Sequence, residues 1–126
     1  MTAMTKTIVG LNALRNGNAG TADIEVFFIA LGDDATTPNA ADTILKSERF
    51  RKRITTNAIG GTGVIIEQIY IEPTEAIGFT TREVGVFLGG SEAANSGILL
   101  ARGIFSPAHA KTSTENMVVP ITITYS

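Results

Sequence analysis

The chain has no cysteine, no tryptophan, a single histidine and four prolines in 126 residues. Without cysteine there is no disulfide framework, no thiolate metal site and no thiol nucleophile, so stability has to come from packing or assembly. One imidazole cannot build a two-histidine metal site, and His109 stands in the loop-like context Ser106-Pro107-Ala108-His109-Ala110. Apolar runs are short, and Met1-Thr2-Ala3-Met4-Thr5-Lys6 has no basic stretch leading into an extended apolar one, so neither a membrane span nor a secretory signal is expected. Positive charge is scarce as well. Ten Lys and Arg against twelve Asp and Glu leave a net charge of −2 and a pI near 5.3, which argues against a free nucleic-acid binder that must displace counterions from phosphates. Six Phe and two Tyr offer few stacking platforms for a sugar.

What is plentiful is β-branched side chains: 17 Thr, 15 Ile and 7 Val. Such residues fit pleated surfaces better than crowded helical turns. With 44% hydrophobic residues, a chain of this length can bury a core of its own, and residues 1–126 read as one domain. Ile8, Leu11 and Leu14 recur at three-residue spacing and predict one helix over about residues 5–15, ended by Asn16-Gly17-Asn18-Ala19-Gly20. A β-rich region over 24–126 follows. Ile24 to Leu31 is apolar on both alternating faces, as a strand covered on both sides would be. Gly32 to Asp42 is a long turn-rich connection, Ile44 to Arg49 suggests a short helical turn, and Phe50 to Thr55 alternates as a strand. Gly60-Gly61-Thr62-Gly63 reverses the chain into the strand Val64 to Glu72, which Pro73 ends. Arg82 to Leu88 and Ile98 to Phe105 form an antiparallel hairpin around the loop Gly89 to Gly97. Val118 to Tyr125 is a last strand that Pro120 assigns to a sheet edge. The expected fold is mainly β: an antiparallel β-sandwich of about six strands with one N-terminal α-helix packed on it.

No set of side chains spells a reaction. A strained Gly-x-Ser-x-Gly elbow is missing, and Gly60-Gly61-Thr62-Gly63 lacks the Lys-Ser/Thr of a phosphate loop. Asp33-Asp34, with Asp42 nearby, has carboxylates for a hard cation but not the alternating spacing of a calcium loop, and Asx turns explain these aspartates without metal. Lys46, Arg49, Arg51, Lys52 and Arg53 hold half the positive charge within eight residues. With Phe50 as their one aromatic neighbour, they fit a solvated strand face or a charged protein interface better than a single-stranded nucleic acid. Neither enzyme activity, cofactor nor metal is expected. Arg82 and Glu83 are consecutive in a strand, so they point to opposite faces and each needs another partner. For Glu83 that is either an ion pair across a subunit boundary or donors from a neighbouring loop of the same chain. Gly85 beside them permits a close approach of another backbone or a bulge.

The stretch Gly78-Phe79-Thr80-Thr81-Arg82-Glu83-Val84-Gly85-Val86-Phe87, followed by Gly97-Ile98-Leu99-Leu100-Ala101-Arg102-Gly103-Ile104-Phe105, resembles the short tail-fibre and tail-collar proteins of tailed bacteriophages. Three further segments resemble that family in the same order: Ile8-Val9-Gly10-Leu11-Asn12-Ala13-Leu14, Phe28-Ile29-Ala30-Leu31-Gly32-Asp33 and Leu45-Lys46-Ser47-Glu48-Arg49-Phe50-Arg51. Relatives are often much longer, with this module at one end. The resemblance implies a noncatalytic, baseplate-associated virion protein, made in the host cytoplasm and incorporated into the tail. It implies a homo-oligomer, most simply a trimer, with other tail or baseplate proteins as partners and neither nucleic acid nor membrane. Phe79, Arg82, Glu83, Gly85, Phe87, Arg102, Glu48, Arg49, Arg51 and Arg53 are its candidate structural or interface residues. Two alternatives stay open: a receptor- or carbohydrate-binding module that meets a host surface receptor through the loops Gly32 to Asp42 and Gly89 to Gly97, and a capsid decoration protein.

Overall fold

Thr7 ends one element and begins the next. Its extended backbone closes the short strand β1 (Met4–Lys6), and its hydroxyl accepts the Gly10 N–H at 3.0 Å as the N-cap of helix α1 (Ile8–Asn18). The same hydroxyl donates to the Leu99 carbonyl, while the Thr7 N–H donates to the Leu100 carbonyl at 3.0 Å. In the computed structural model, which describes residues 4–20 and 26–124, the chain then builds two antiparallel sheets. The wider sheet joins β1 to β2 (Val26–Gly32), β3 (Glu48–Arg53), β6 (Thr80–Leu88) and β7 (Ile98–Ala110) in the order β1-β7-β6-β2-β3. The narrower holds β4 (Thr56–Ile59), β5 (Val64–Ile71) and β8 (Met117–Thr124) in the order β4-β5-β8.

The chain is mainly β, a two-sheet sandwich with one N-terminal helix, as its composition predicts. Ile29, Leu31, Val84, Val86 and Leu100 of the wider sheet meet Ile69, Ile71, Val119, Ile121 and Ile123 of the narrower one. Burying each such side chain contributes roughly 1.5–3 kcal/mol. The opposite face of the wider sheet carries a second cluster of Phe28, Ala30, Phe87 and Leu99, closed by Leu45 from the loop between β2 and β3. Two buried faces account for the unbroken apolar run Phe28-Ile29-Ala30-Leu31.

Several expectations are corrected. Eight strands stand among the described residues instead of six. Thr5 and Lys6 belong to β1, paired with Arg102 and Ala101, and the helix runs to Asn18. No helical turn forms over Ile44 to Arg49, because the Lys46 and Ser47 amides donate to the Glu83 carboxylate (2.9 and 2.8 Å), and Glu48 already lies in β3. The strand Thr56–Ile59 was not expected as a separate element. Ile24, Glu25 and Tyr125, expected at strand ends, lie outside the described residues. Pro120 does sit on an edge strand, opposite Gln68.

The helix also turns its small side inward. Gly10 and Ala13 are buried, whereas Ile8 and Leu11 are 54% and 50% exposed. A Cβ on Gly10 would stand 2.7 Å from the Leu100 Cα and 2.9 Å from its carbonyl oxygen, so the helix and β7 touch backbone to backbone. Backbone cannot yield as a side-chain tip can. Gly10→Ala is therefore expected to destabilise the protein by about 1–3 kcal/mol in urea unfolding, despite alanine's helix advantage of about 1 kcal/mol. A stabilised Gly10→Ala protein would contradict this packing.

Candidate functional site

The pairing of β6 with β7 brings the most polar part of the interior together. Gly85 lies opposite Arg102 in this ladder, and Glu83 opposite Ile104, so Glu83, Gly85 and Arg102 share the outer face of the wider sheet. Glu83 and Arg102 are both 0% exposed, with Arg102 Nε 2.9 Å from Glu83 Oε1. The carboxylate accepts three backbone donors besides: Lys46 N–H at 2.9 Å, Ser47 N–H at 2.8 Å and Asp34 N–H at 3.3 Å. All its acceptor sites are occupied. The rest of the guanidinium donates to the carbonyls of Thr36 (2.7 Å) and Asp34 (3.4 Å), with Asp42 Oδ2 at 3.7 Å. Each guanidinium nitrogen and both carboxylate oxygens are engaged within the chain. The centre acts as an anchor that fastens both ends of the β2–β3 loop.

Glycine makes room for it. A Cβ on Gly32 would lie 2.4 Å from Glu83 Oε2, and one on Gly85 would lie 2.6 Å from Leu45 Cδ2. Leu45 thus fills the gap that Gly85 leaves, beside Phe87 and Leu99. Within the loop, Asp34 Oδ1 accepts the Thr36 N–H at 2.7 Å in an Asx turn, and Asp42 Oδ2 accepts the Asn39 N–H at 2.9 Å. Burial pushes the Asp42 carboxyl up, but the Asn39 amide, Lys46 at 3.2 Å and the nearby Arg102 outweigh it and hold the carboxyl below the usual aspartate value of 3.8.

A second anchor fastens the other loop. Arg51 and Glu48 form a bidentate pair at 2.8 and 2.9 Å, with side chains 3% and 2% exposed. The Arg51 guanidinium stacks 4.5 Å from the Phe87 ring centre and 5.3 Å from that of Phe28. Its Nη1 donates to the carbonyls of Ser91 (3.0 Å) and Ser96 (3.1 Å), while Glu48 Oε1 accepts the Asn95 N–H at 3.1 Å. The loop 89–97 is held to β3 by these contacts.

Of the residues singled out in the sequence, Glu83, Gly85, Phe87 and Arg102 join the first anchor or the cluster beside it, and Glu48 and Arg51 form the second. All six lie in the interior of one chain, with both ion pairs satisfied and covered there. For Glu83, the partners are loop donors of the same chain. The others lie outside these anchors: Arg49 pairs with Asp33 at 2.8 Å and covers the partly buried Phe79 ring at 5.6 Å, and Arg82 reaches the Asp33 carbonyl at 3.5 Å. Arg53 is exposed and lines a polar recess of about 540 Å³ with Phe28, Glu75 and Glu92. Asp42, Leu45 and Gly32 were not recognised as part of this centre. The one signal for Asp42 was its four-residue spacing from Lys46.

His109 lies 3.0 Å from Glu115, which also accepts the Thr112 N–H at 2.7 Å, and a cleft of about 310 Å³ opens between His109, Phe105, Pro107 and the β8 residues Val118 to Ile121. Among the described residues no three His, Cys, Asp or Glu side chains gather where they could hold a metal ion, and no helix is long and apolar enough to cross a membrane. No protein-family model matches the chain, and no curated protein is significantly similar to it.

Removing one charge of a buried pair leaves the other uncompensated, so Glu83→Gln is expected to cost about 3–5 kcal/mol. It should also accelerate amide exchange at Lys46 and Ser47 well before global unfolding; unchanged protection there would show that the loop is held by other means. Because the Asp42 carboxyl is depressed in the folded state, its contribution is complete above the unfolded value and is lost as pH falls through the lower folded one. Asp42→Asn should lower stability at neutral pH and flatten its acid dependence in denaturant titrations.

Proposed function

We propose that this protein is a noncatalytic structural component of a tailed-phage virion, a tail-fibre, baseplate or collar module that works by oligomeric assembly with copies of itself and with other tail proteins. The observation that carries the reading is a contrast between interior and surface. Inside, Glu83, Arg102, Glu48 and Arg51 are spent on fastening two long loops to a sheet. Outside, large apolar side chains are left in water on several elements: Ile8 and Leu11 on α1, Ile59 on β4, Ile77 before β6 and Val118 on β8. Rigid loops and apolar surface suit a part that is completed by neighbours, since association selects the folded state and stabilises it by mass action.

The resemblance to tail-fibre and tail-collar proteins supports the same reading through particular residues. Its segments around Gly10, Gly32, Leu45 to Arg51, Glu83 to Phe87 and Leu99 to Arg102 are the ones that meet in the anchors and in the helix contact. Attachment would place the chain in the virion tail after synthesis in the host cytoplasm, and the resemblance adds a closed ring of copies, most simply a trimer.

Microscopy of whole particles carrying an epitope-tagged copy tests the assignment. Label at the tail tip, baseplate or collar is the expected result, and tagged chain pulled from disrupted particles should bring tail proteins with it. Label on the head would favour a capsid decoration protein. Adsorption of the isolated chain to host cells would favour a receptor-binding module, and absence from the particle would refute all three.

A further inference from the structure

The four sheet edges differ in what they offer another strand. β1 is three residues long, β3 carries Arg49, Arg51, Lys52 and Arg53, and β8 contains Pro120. Short length, charge and proline are the usual protections of an edge against pairing. β4, Thr56-Asn57-Ala58-Ile59, has none but shortness, and all four residues are exposed.

The phase of its ladder can be read from both ends. Gly60 N–H donates to the Val64 carbonyl at 2.9 Å, and at the other end Thr55 N–H donates to the Gln68 carbonyl at 3.0 Å, in a bulge beside the pair Thr56 and Gln68. Gly60, Ala58 and Thr56 therefore turn their backbone groups toward β5. The N–H and C=O of Asn57 and Ile59 are left pointing away, along the open edge. This edge is self-complementary. Two antiparallel copies related by a two-fold axis at Ala58 place Asn57 of each against Ile59 of the other, and about four hydrogen bonds form with none left over. The side chains agree: by alternation Ile59 lies on the core-facing side of its sheet, with Ile69 and Ile71, yet it is 89% exposed because β3, at the rim of the wider sheet, lies against β5 and leaves β4 uncovered.

We infer that β4 is a strand-addition edge for a second copy of this chain, joining two narrow sheets into one continuous antiparallel sheet of order β8-β5-β4-β4-β5-β8. β4 brings no charge to the contact, so nothing on it repels its twin, whereas two β3 edges would set arginines against each other. The area is small. A four-residue strand spans only about 13 Å and buries far less than the roughly 1,200 Å² of a stable standard interface, so the isolated pair is weak and concentration-dependent. It is strengthened where copies are held side by side. The inference names one contact of the assembly reading and rests on that reading for its role in a particle. It is also independent of a ring closed through other faces, which the pairing would double.

Sedimentation of the full chain over a concentration series is the test. The expected result is reversible doubling of the basal species, weakened about tenfold or more by Ile59→Lys, which puts a charge on an already exposed site, and by Asn57→Pro, which removes an outward donor and no bond to β5. Because the chain has no cysteine, Ala58→Cys creates a single thiol, and across the two-fold axis the paired Cα atoms would lie about 4.5 Å apart, within disulfide range. Mild oxidation should link Ala58→Cys into dimers much faster than Ala94→Cys on an exposed loop. Equal cross-linking of the two, or doubling unaffected by both edge variants, or no doubling at all, overturns the inference. If such variants still enter tails, the assembly reading survives without this contact; if the edge pairs but no particle contains the chain, the assembly reading fails alone.

Discussion

The ion pair between Glu83 and Arg102 holds in place the segment on which the rest of the wider sheet depends. A loop from Asp33 to Ser47 crosses the outer face of that sheet, and its amides at Asp34, Lys46 and Ser47 converge on one carboxylate, while its carbonyls at Asp34 and Thr36 converge on one guanidinium. Separately, each charge would be costly to bury; together they satisfy each other and the loop backbone. Leu45 then seats over Gly85, and the second apolar cluster closes. Without the pair, the loop that carries Leu45 would lose its amide contacts to the carboxylate.

The same logic recurs with Arg51 and Glu48, one strand further out. Both anchors use an arginine against a glutamate, and both spend the remaining guanidinium donors on loop carbonyls. Arginine suits this work because its planar fork serves several acceptors at fixed angles and its face can lie on rings, as it does on Phe87. Both loops are thereby held as parts of the scaffold.

Two sheets of unequal width leave the sandwich asymmetric. The narrow sheet covers the core with β5 and β8 and carries β4 out past the rim, while α1 closes against β7 through Gly10 and Ala13, packs Leu14 on the core and leaves Ile8 and Leu11 outside. Both features set apolar side chains in water, Ile59 on β4 and Ile8 and Leu11 on α1. Close contact between helix and strand backbones at Gly10 leaves no space there for a side chain.

Residue type and alternation were enough to predict a β-sandwich with one helix, the hairpin of β6 and β7, the doubly covered strand β2 and the edge position of Pro120, because these follow from local periodicity and from what proline lacks. Glu83, Gly85 and Arg102 could be picked out as a group, but not their role, since adjacency in the chain says nothing of which loop will cross the sheet. Periodicity misled in part at the helix, where Leu14 of the apolar stripe packs on the core but Ile8 and Leu11 stay exposed and Gly10 and Ala13 face inward. It misled again at Ile44 to Arg49, where the Glu83 carboxylate competes for the amides a helical turn would have used. Fold class and most strands were therefore legible in the order of the residues. The burial of the two ion pairs, the inward face of α1 and the uncovered edge of β4 arose from long-range contacts, because each depends on a backbone or charge supplied by a segment distant in sequence.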